Sequence, residues 1–207
     1  CRQEQKKALM QAFGAGKESF EKFRLDVYPD RIDPKLGISP RALMKRVYES
    51  AVSYTKTFSE GSDSLLFMGA TGLGKTFLSG CIARAVADKG YSVCYVSAGK
   101  LFSDFETEKF RLKEDGALTG EYMETDLLII DDLGTEMTTQ FTVSALYQVV
   151  NGRLLSGKPT IVSTNLPDSE LEARYSAQIA SRLLGAYTLY QFCGTDVRLL
   201  KKMESGR

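Results

Sequence analysis

The sequence contains no histidine and no tryptophan among its 207 residues. Without histidine the chain cannot build a Ser-His-Asp or Cys-His catalytic site, a histidine general base or an imidazole metal site. Any chemistry must therefore use carboxylates, lysine, arginine, hydroxyl groups or a bound metal ion. An excess of one charge sign is also lacking, because 27 Lys and Arg residues oppose 26 Asp and Glu residues. This balance excludes a histone-like or polybasic protein but allows a local basic patch.

Cysteine is scarce, and long apolar runs are missing. The cysteines, Cys1, Cys81, Cys94 and Cys193, lie too far apart for a CxxC redox or metal-binding motif, and the last three lie in apolar stretches. This pattern predicts a reducing, cytoplasmic environment. No apolar run approaches about 18 residues, and the N-terminus lacks the apolar segment of a signal peptide, so we expect no membrane association. Because the chain starts at Cys1 and not at Met, we expect it to be part of a longer protein.

The length and the 43% of hydrophobic residues predict one domain with a short arm. A chain of this size buries roughly 70% of its unfolded surface, so its core needs no disulfide or structural metal ion. Residues 1–38 are polar and interrupted by glycine and proline, and we predict that they form an N-terminal arm, the end of a truncated module, lying on the main domain. Residues 39–207 form the predicted domain, which begins with a helix capped by Ser39 with Pro40 at its first position.

Five apolar segments alternate with helical patterns along the rest of the chain. The predicted strands cover residues 64–69, 92–97, 126–131, 159–165 and 187–192. One predicted helix covers residues 75–89, and another carries Phe141, Ala145, Val149 and Leu154 at helical spacing. Strands that are apolar on both faces and separated by helices indicate a parallel sheet covered on both sides. The sequence therefore predicts a three-layer αβα domain of the α/β class with a central five-stranded parallel sheet.

The segment GATGLGKT, residues 69–76, lies between the first predicted strand and the next helix and fits the pattern G-x-x-x-x-G-K-[ST]. Its glycines let successive N–H groups point at phosphate oxygens, and the helix directs its positive end to the same place. Lys75 adds a charge for the β- and γ-phosphates, and the Thr76 hydroxyl suits Mg²⁺ coordination. The predicted nucleotide-binding residues are Gly69, Ala70, Thr71, Gly72, Leu73, Gly74, Lys75, Thr76 and Phe77. The alternative is a glycine-rich turn without a ligand.

The segment LLIIDDLG, residues 127–134, is an apolar strand that ends in two acids. In phosphate-loop enzymes an acid at this place lies beside the loop and holds Mg²⁺. We predict that Asp131 has this role, together with Thr76, and that Asp132 polarises the attacking water. Glu136 lies close enough in sequence to compete with Asp132 for this role. Alternatively, the two Asp residues cap the next segment.

Several polar residues further along the chain leave two interpretations open. Asn165 ends the fourth predicted strand, where it can reach the γ-phosphate or orient water, but a strand-end Asn is also common in turns. Arg174, Arg182 and Arg198 are equally compatible with solvated surface arginines, because spacing alone distinguishes none of them.

Taken together, these motifs resemble bacterial or phage helicase loaders of the DnaC/DnaI type within the AAA+ ATPases, to which the transposition helper IstB is related. The resemblance runs from Ser39 to the C-terminus and rests on LLFMGATGLGKTFLSGCIA, DLLIIDDLGTE, NGRLLSGKPTIVSTN, IASRL and GTDVRLLKK, in this order. It implies an AAA+ P-loop NTPase fold and an ATPase with ATP or ADP and Mg²⁺ as cofactors. Few residues follow Gly194, so we expect a minimal C-terminal lid.

The resemblance also implies roles that spacing does not show. Asn165 matches the sensor-1 residue, Arg182 matches the arginine finger that completes the site of a neighbouring subunit, and Arg198 resembles the sensor-2 arginine. An arginine supplied by another subunit makes hydrolysis slow in the isolated protein and faster after self-association. The chain departs from the family pattern at Asp132, where many AAA+ proteins have Glu, and at Gln178, where a second arginine is frequent.

The implied partners are a replicative DNA helicase, single-stranded DNA and further copies of the chain. Residues 100–116 mix cations with aromatics, as a strand-binding groove does, in Lys100, Phe102, Phe105, Lys109, Phe110, Arg111 and Lys113. The near-helical spacing of the three phenylalanines also fits a core. Family members often begin with a Cys-rich zinc module, of which Cys1 would be the last ligand. One Cys cannot hold zinc, so we assign no metal beyond Mg²⁺.

Two other functions remain open at this point. The chain can be a transposition helper ATPase that acts with a transposase, or a nucleotide-dependent module that binds DNA or protein with negligible hydrolysis.

Overall fold

A computed structural model of the protein describes residues 18–110 and 117–197. Its strands are Leu65–Met68 (β1), Val93–Ser97 (β2), Leu127–Leu133 (β3), Thr160–Thr164 (β4) and Thr188–Gln191 (β5). They form one sheet in the order β2-β3-β4-β1-β5, and every neighbouring pair is parallel. The predicted five-stranded parallel sheet is confirmed. Because all strands run the same way, the loops that follow β1, β3 and β4 meet at one edge of the sheet.

The described residues contain seven α-helices. They are Pro40–Thr57 (α1), Lys75–Asp88 (α2), Ala98–Phe110 (α3), Ala117–Glu124 (α4), Gln140–Leu155 (α5), Asp168–Tyr175 (α6) and Ala177–Ala186 (α7). As predicted, Ser39 caps α1, and its hydroxyl accepts a hydrogen bond from the Ala42 N–H at 3.2 Å. Thr139 caps α5 in the same way and forms a reciprocal capping box with Thr142. None of the described helices has the length and apolar character that a membrane span requires.

The core consists of two hydrophobic clusters, one on each face of the sheet. Alternate residues of one strand enter different clusters: Leu66 belongs to the first and Phe67 to the second. The first cluster is covered by α3 to α7 and the second by α1, α2 and the residues before them. The predicted three-layer αβα architecture is therefore confirmed. Phe102 and Phe105 are 4% and 7% exposed in the first cluster, so they belong to the core and not to a DNA-binding surface.

Arg153 in α5 is completely buried and connects α4 with the start of β4. Its guanidinium donates to the carbonyl oxygens of Tyr122 (2.8 Å), Met123 (3.2 Å), Thr125 (3.0 Å) and Pro159 (2.6 Å), and to the Thr160 hydroxyl (2.8 Å). The carbonyl groups of Tyr122 and Met123 lie in the last turn of α4, where the helix dipole favours a positive charge. Burial lowers the pKa of Arg153 to about 10, which leaves the guanidinium charged at neutral pH.

The described part of the arm lies on α1 and α2, as the sequence predicts. It contains two short 3-10 turns, Phe20–Lys22 and Leu25–Val27. The Phe20 ring packs edge-on against Tyr48 of α1 at a centroid distance of 5.7 Å, and Tyr28 is buried in the second cluster. The division into an arm at 1–38 and a domain at 39–207 stays a prediction. Cys1, Arg111, Lys113, Arg198 and most of the predicted lid lie outside the described residues.

Candidate nucleotide-binding site

The loop between β1 and α2 has the backbone of a phosphate-binding loop. The φ angle is +77° at Gly72 and +93° at Gly74, in the left-handed region that glycine adopts without strain. A Cβ atom on Gly69 would lie 2.4 Å from the Phe192 carbonyl oxygen, so close packing also requires glycine there. Because α2 begins at Lys75, the loop leads directly into the helix N-terminus, whose N–H groups are suited to bind an anion.

Lys75 is buried against this loop, with only 5% of its surface exposed. Its ammonium group donates to the carbonyl oxygens of Gly69 (2.6 Å) and Ala70 (2.9 Å). These two bonds hold the positive charge inside the curve of the loop. Electrostatic attraction for a phosphate group is strong at such a position.

Asp131, at the end of β3, lies next to the start of α2. Its Oδ1 atom is 3.4 Å from the Thr76 hydroxyl and accepts a hydrogen bond from Ser163 of β4. Its Oδ2 atom accepts a hydrogen bond from the Tyr95 hydroxyl of β2 at 2.7 Å. Burial, followed by the nearby charge of Asp131, raises the pKa of Tyr95, so its hydroxyl remains a donor. Three neighbouring elements therefore fix the orientation of one buried carboxylate.

A β-bulge separates the two acids of the motif. Ile130 pairs with Val162 and Leu133 pairs with Thr164, so β3 contains one residue more than β4 over this stretch. At the bulge Asp132 has a φ of +55°, and its N–H donates to the Ser163 hydroxyl at 3.0 Å. As a result Asp131 is buried near Thr76, whereas the exposed Asp132 lines the cavity above the phosphate-binding loop.

Glu136 makes a different set of contacts. Its Oε1 atom accepts a hydrogen bond from the Tyr175 hydroxyl, and its Oε2 atom accepts one from the Gly134 N–H at 3.0 Å. Arg174 donates to the Glu136 carbonyl oxygen at 2.5 Å. Glu136 thus ties the loop after β3 to α6. Of the two competing acids, Asp132 is the one on the cavity wall.

The cavity has a volume of about 340 Å³, and two different parts of the chain form its wall. One side is formed by residues 71–77, Asp132 and Val197; the other is formed by Glu18, Lys22, Phe23, Arg24, Val27 and Tyr28 of the arm. The predicted nucleotide-binding residues Gly69 and Ala70 shape the loop but are not among these lining residues. Sequence reasoning missed the arm as a wall of the site, although its aromatic residues were the available signal.

Aromatic side chains hold the arm against the phosphate-binding loop. The Tyr28 hydroxyl donates to the Leu73 carbonyl oxygen at 2.8 Å. Burial raises the pKa of Tyr28 to about 12, which keeps this donor protonated. The Phe23 ring centroid lies 6.0 Å from that of Phe77 and 6.1 Å from that of Tyr28. These rings give one wall of the cavity an apolar, aromatic surface next to the charged loop.

The remaining predicted site residues lie outside this cavity or outside the described residues. Asn165 is exposed directly after β4, the strand between β3 and β1, and is not among the lining residues. Arg182 lies on α7 and is bonded to side chains of α5. Arg198 lies outside the described residues. The structure therefore brings together Lys75 and the contact between Thr76 and Asp131, with Asp132 on the cavity wall, and does not bring Arg182 to this cavity.

Comparison with known proteins agrees with this geometry. The family of IstB-like ATP binding proteins matches residues 43–191. The chain belongs to this family. An ATP-binding protein of an insertion sequence in Mycobacterium tuberculosis is 27% identical over 106 residues, which cover 51% of this chain and 42% of the relative. The replicative helicase loader DnaC of Escherichia coli K12 is 25% identical over 135 residues, covering 64% and 55%.

This member of the IstB-like family also shares its fold with a solved helicase loader. The crystal structure of the DnaC helicase loader superposes with a TM-score of 0.68 at 20% identity, covering 84% of this chain and 98% of that one. This likeness agrees with the predicted AAA+ P-loop fold. The chain spans about half the length of the curated relatives it matches, 42% and 55% for the two above.

The oxygen atoms of this IstB-like site fit a magnesium ion. The Thr76 hydroxyl and the Asp131 carboxylate adjoin each other beside the phosphate-binding loop. In the described part of the chain no three His, Cys, Asp or Glu side chains cluster as a metal cage. Magnesium does not need such a cage, because it keeps several waters and binds through one or two protein oxygens together with substrate phosphates.

Proposed function

We propose that the chain is the ATP-hydrolysing domain of a replicative helicase loader that acts in the initiation of DNA replication. The observation that carries this proposal is the contact between Thr76 and Asp131 beside a buried Lys75, next to a cavity that Lys75, Thr76 and Asp132 line. This arrangement offers a cation, two candidate magnesium ligands and a carboxylate to one phosphate group. Similarity to DnaC helicase loaders supports the choice of process.

In this proposal each residue of the site has one task. The loop N–H groups and Lys75 bind the β- and γ-phosphates. Thr76 and Asp131 would hold Mg²⁺, which neutralises phosphate charge when bound. Asp132 polarises the attacking water and accepts its proton.

The proposed positions of the other groups follow the same geometry. The aromatic wall formed by Phe23, Tyr28 and Phe77 accepts the nucleoside of ATP or ADP by stacking and apolar contact. Asn165 contacts the γ-phosphate from the end of β4, and Arg198 approaches the nucleotide from the C-terminal side. Arg182 acts on the ATP of a neighbouring copy, because its own subunit holds it away from the cavity against α5. Hydrolysis is then slow in the isolated subunit and faster after self-association.

The proposed partners are the replicative DNA helicase and single-stranded DNA. On the described surface, cations lie over partly buried aromatic rings at two places along α5: Lys109 lies 4.9 Å from the Phe141 ring centre, and Arg182 lies 4.8 Å from that of Tyr147. Such pairs favour contacts with phosphates and bases. A helicase loader works where the chromosome is replicated, so the proposal includes a cytoplasmic location.

The test of the ATPase proposal compares Lys75→Ala with Lys45→Ala, which removes an exposed lysine of α1. We expect Lys75→Ala to weaken ATP binding about tenfold or more and Lys45→Ala to leave it within about twofold. Equal ATP affinity in Lys75→Ala and the wild type would overturn the proposal. Phosphate release is expected to rise with protein concentration and with single-stranded DNA. Its absence under all these conditions would identify a binding module without hydrolysis.

The family match and the insertion-sequence relative favour a second candidate, a transposition helper. Both candidates use the same ATP site but differ in their partner. Co-purification with the replicative helicase of the host, with ATP and with ADP, separates them. A helicase loader retains the helicase in at least one nucleotide state, whereas a transposition helper retains a transposase and not the helicase.

A further inference from the structure

Arg182 is held by three acceptors of its own subunit. Its Nε atom donates to the Asn151 side-chain oxygen at 2.9 Å, and its Nη2 atom donates to the Tyr147 hydroxyl at 3.2 Å. Its Nη1 atom donates to the Gln178 carbonyl oxygen at 3.1 Å. The guanidinium also stacks on the Tyr147 ring, 4.8 Å from the centroid. The side chain is therefore confined to one orientation, although it is only partly buried.

All three acceptors are electrically neutral. A guanidinium has five N–H donors, so these three hydrogen bonds leave one N–H on each Nη atom for an outside acceptor. Arg24, Arg41 and Arg84 on the same molecule lie instead within 4 Å of carboxylates. The three contacts of Arg182 thus fix its geometry, and no carboxylate of residues 18–110 or 117–197 forms an ion pair with it. A group that binds an external anion requires such an uncompensated charge.

The two side-chain acceptors lie on a rigid support. Tyr147 and Asn151 are four residues apart on α5 and therefore occupy one face of the helix. The adjoining face is buried in the first hydrophobic cluster through Leu146, Val149 and Val150, and the Tyr147 ring itself packs against this cluster. A group attached to such a helix keeps its position when a partner docks.

We propose that Asn151 and Tyr147 are positioning residues that hold Arg182, with its charge uncompensated, for the γ-phosphate of ATP bound to a neighbouring copy of the chain. This inference rests on the proposed function, because it needs an ATPase that is completed between subunits. Neither Asn151 nor Tyr147 is among the residues that line the phosphate-loop cavity of its own subunit.

The first experiment measures steady-state hydrolysis at protein concentrations where the wild type is assembled. Asn151→Asp places a carboxylate beside the Nε atom of Arg182 and so neutralises the charge of the guanidinium. This variant should lower kcat about tenfold or more, with KM for ATP unchanged. Asn151→Ala and Tyr147→Phe each remove one bond and should lower kcat about three- to tenfold. Gln148→Ala, an exposed change on the same helix, serves as the control and should leave kcat unchanged. Thermal unfolding verifies that every variant is folded.

The second experiment separates positioning from a general structural effect by mixing inactive subunits. A Lys75→Ala subunit donates Arg182 but does not hold ATP, and an Arg182→Ala subunit holds ATP but donates no arginine. Their mixture should regain part of the stimulated rate. Adding Asn151→Asp to the Lys75→Ala subunit should remove this regained activity, whereas adding it to the Arg182→Ala subunit should leave it.

The two outcomes that contradict us are distinguishable. If the mixture regains nothing, Arg182 does not act between subunits and this part of the proposed function fails. If the mixture regains activity and Asn151→Asp has the same effect in either subunit, Arg182 acts between subunits but Asn151 does not position it.

Discussion

Replacing the buried Arg153 gives a sharp test of how this fold is held together. Arg153 is 0% exposed and donates five hydrogen bonds, four of them to backbone carbonyl oxygens. Arg153→Met keeps an unbranched side chain but removes every donor. Each buried acceptor that loses its partner costs about 1–3 kcal/mol, and the relief of a buried charge returns several kcal/mol. We expect a net loss of about 3–5 kcal/mol in the free energy of unfolding.

Arg153→Lys separates the effect of the hydrogen bonds from the effect of the buried charge, because it keeps the positive charge. The lysine ammonium has three donors at one point and cannot reach acceptors spread around a planar guanidinium. We expect it to lose about 2–3 kcal/mol, between wild type and Arg153→Met. The control is Arg84→Met, since the side chain of Arg84 is 47% exposed and 3.8 Å from Asp88; it should change stability by less than about 0.5 kcal/mol.

Urea unfolding of these variants, followed by circular dichroism, supplies the free energies. An Arg153→Met protein within about 1 kcal/mol of the wild type, with an unchanged slope, would refute the reasoning. It would mean that water or a rearranged backbone satisfies the freed carbonyl groups. If Arg153→Met does not fold at all, Arg153→Lys provides the test, because it must then fold and be more stable than Arg153→Met.

Three further predictions concern single contacts. Tyr28→Phe removes the hydroxyl that bonds the Leu73 carbonyl oxygen and should weaken ATP binding about three- to tenfold by titration calorimetry; unchanged affinity would exclude a role for this hydrogen bond in ATP binding. Gly72→Ala should abolish ATP binding in the same assay, because φ is +77° and the new Cβ would lie 2.0 Å from a carboxylate oxygen. Tyr175→Phe removes a donor from Glu136 and should cost about 1–2 kcal/mol in urea unfolding, whereas a stabilised variant would contradict this bond.

The fold and the phosphate-binding loop were predictable because their signals are local. Apolar runs of strand length, helical spacing and the glycines before Lys75 lie within short segments, and local sterics and burial decide their conformation. The cap at Ser39 followed the same logic and is present as predicted. The catalytic roles of Asp132, Asn165 and Arg182 stay predictions.

The separation of Asp131 from Asp132 was not predictable from the motif. Two consecutive acids at the end of a regular strand point to opposite faces, but here a bulge and a φ of +55° at Asp132 set both directions. The bulge depends on pairing with β4, about thirty residues further along the chain, whose Ser163 binds both acids. No short segment of the sequence contains that information.

By itself, the sequence determined a parallel α/β sheet with a phosphate-binding loop at the end of β1 and an acidic strand end. Tertiary structure decided which residues complete the site. Thr76 meets Asp131 across 55 residues of chain, Tyr28 meets Leu73 across 45, and Arg182 meets Asn151 across 31. The physical reason is that hydrogen bonds and aromatic contacts act over a few ångströms, so only the packed elements show which distant residues share that space.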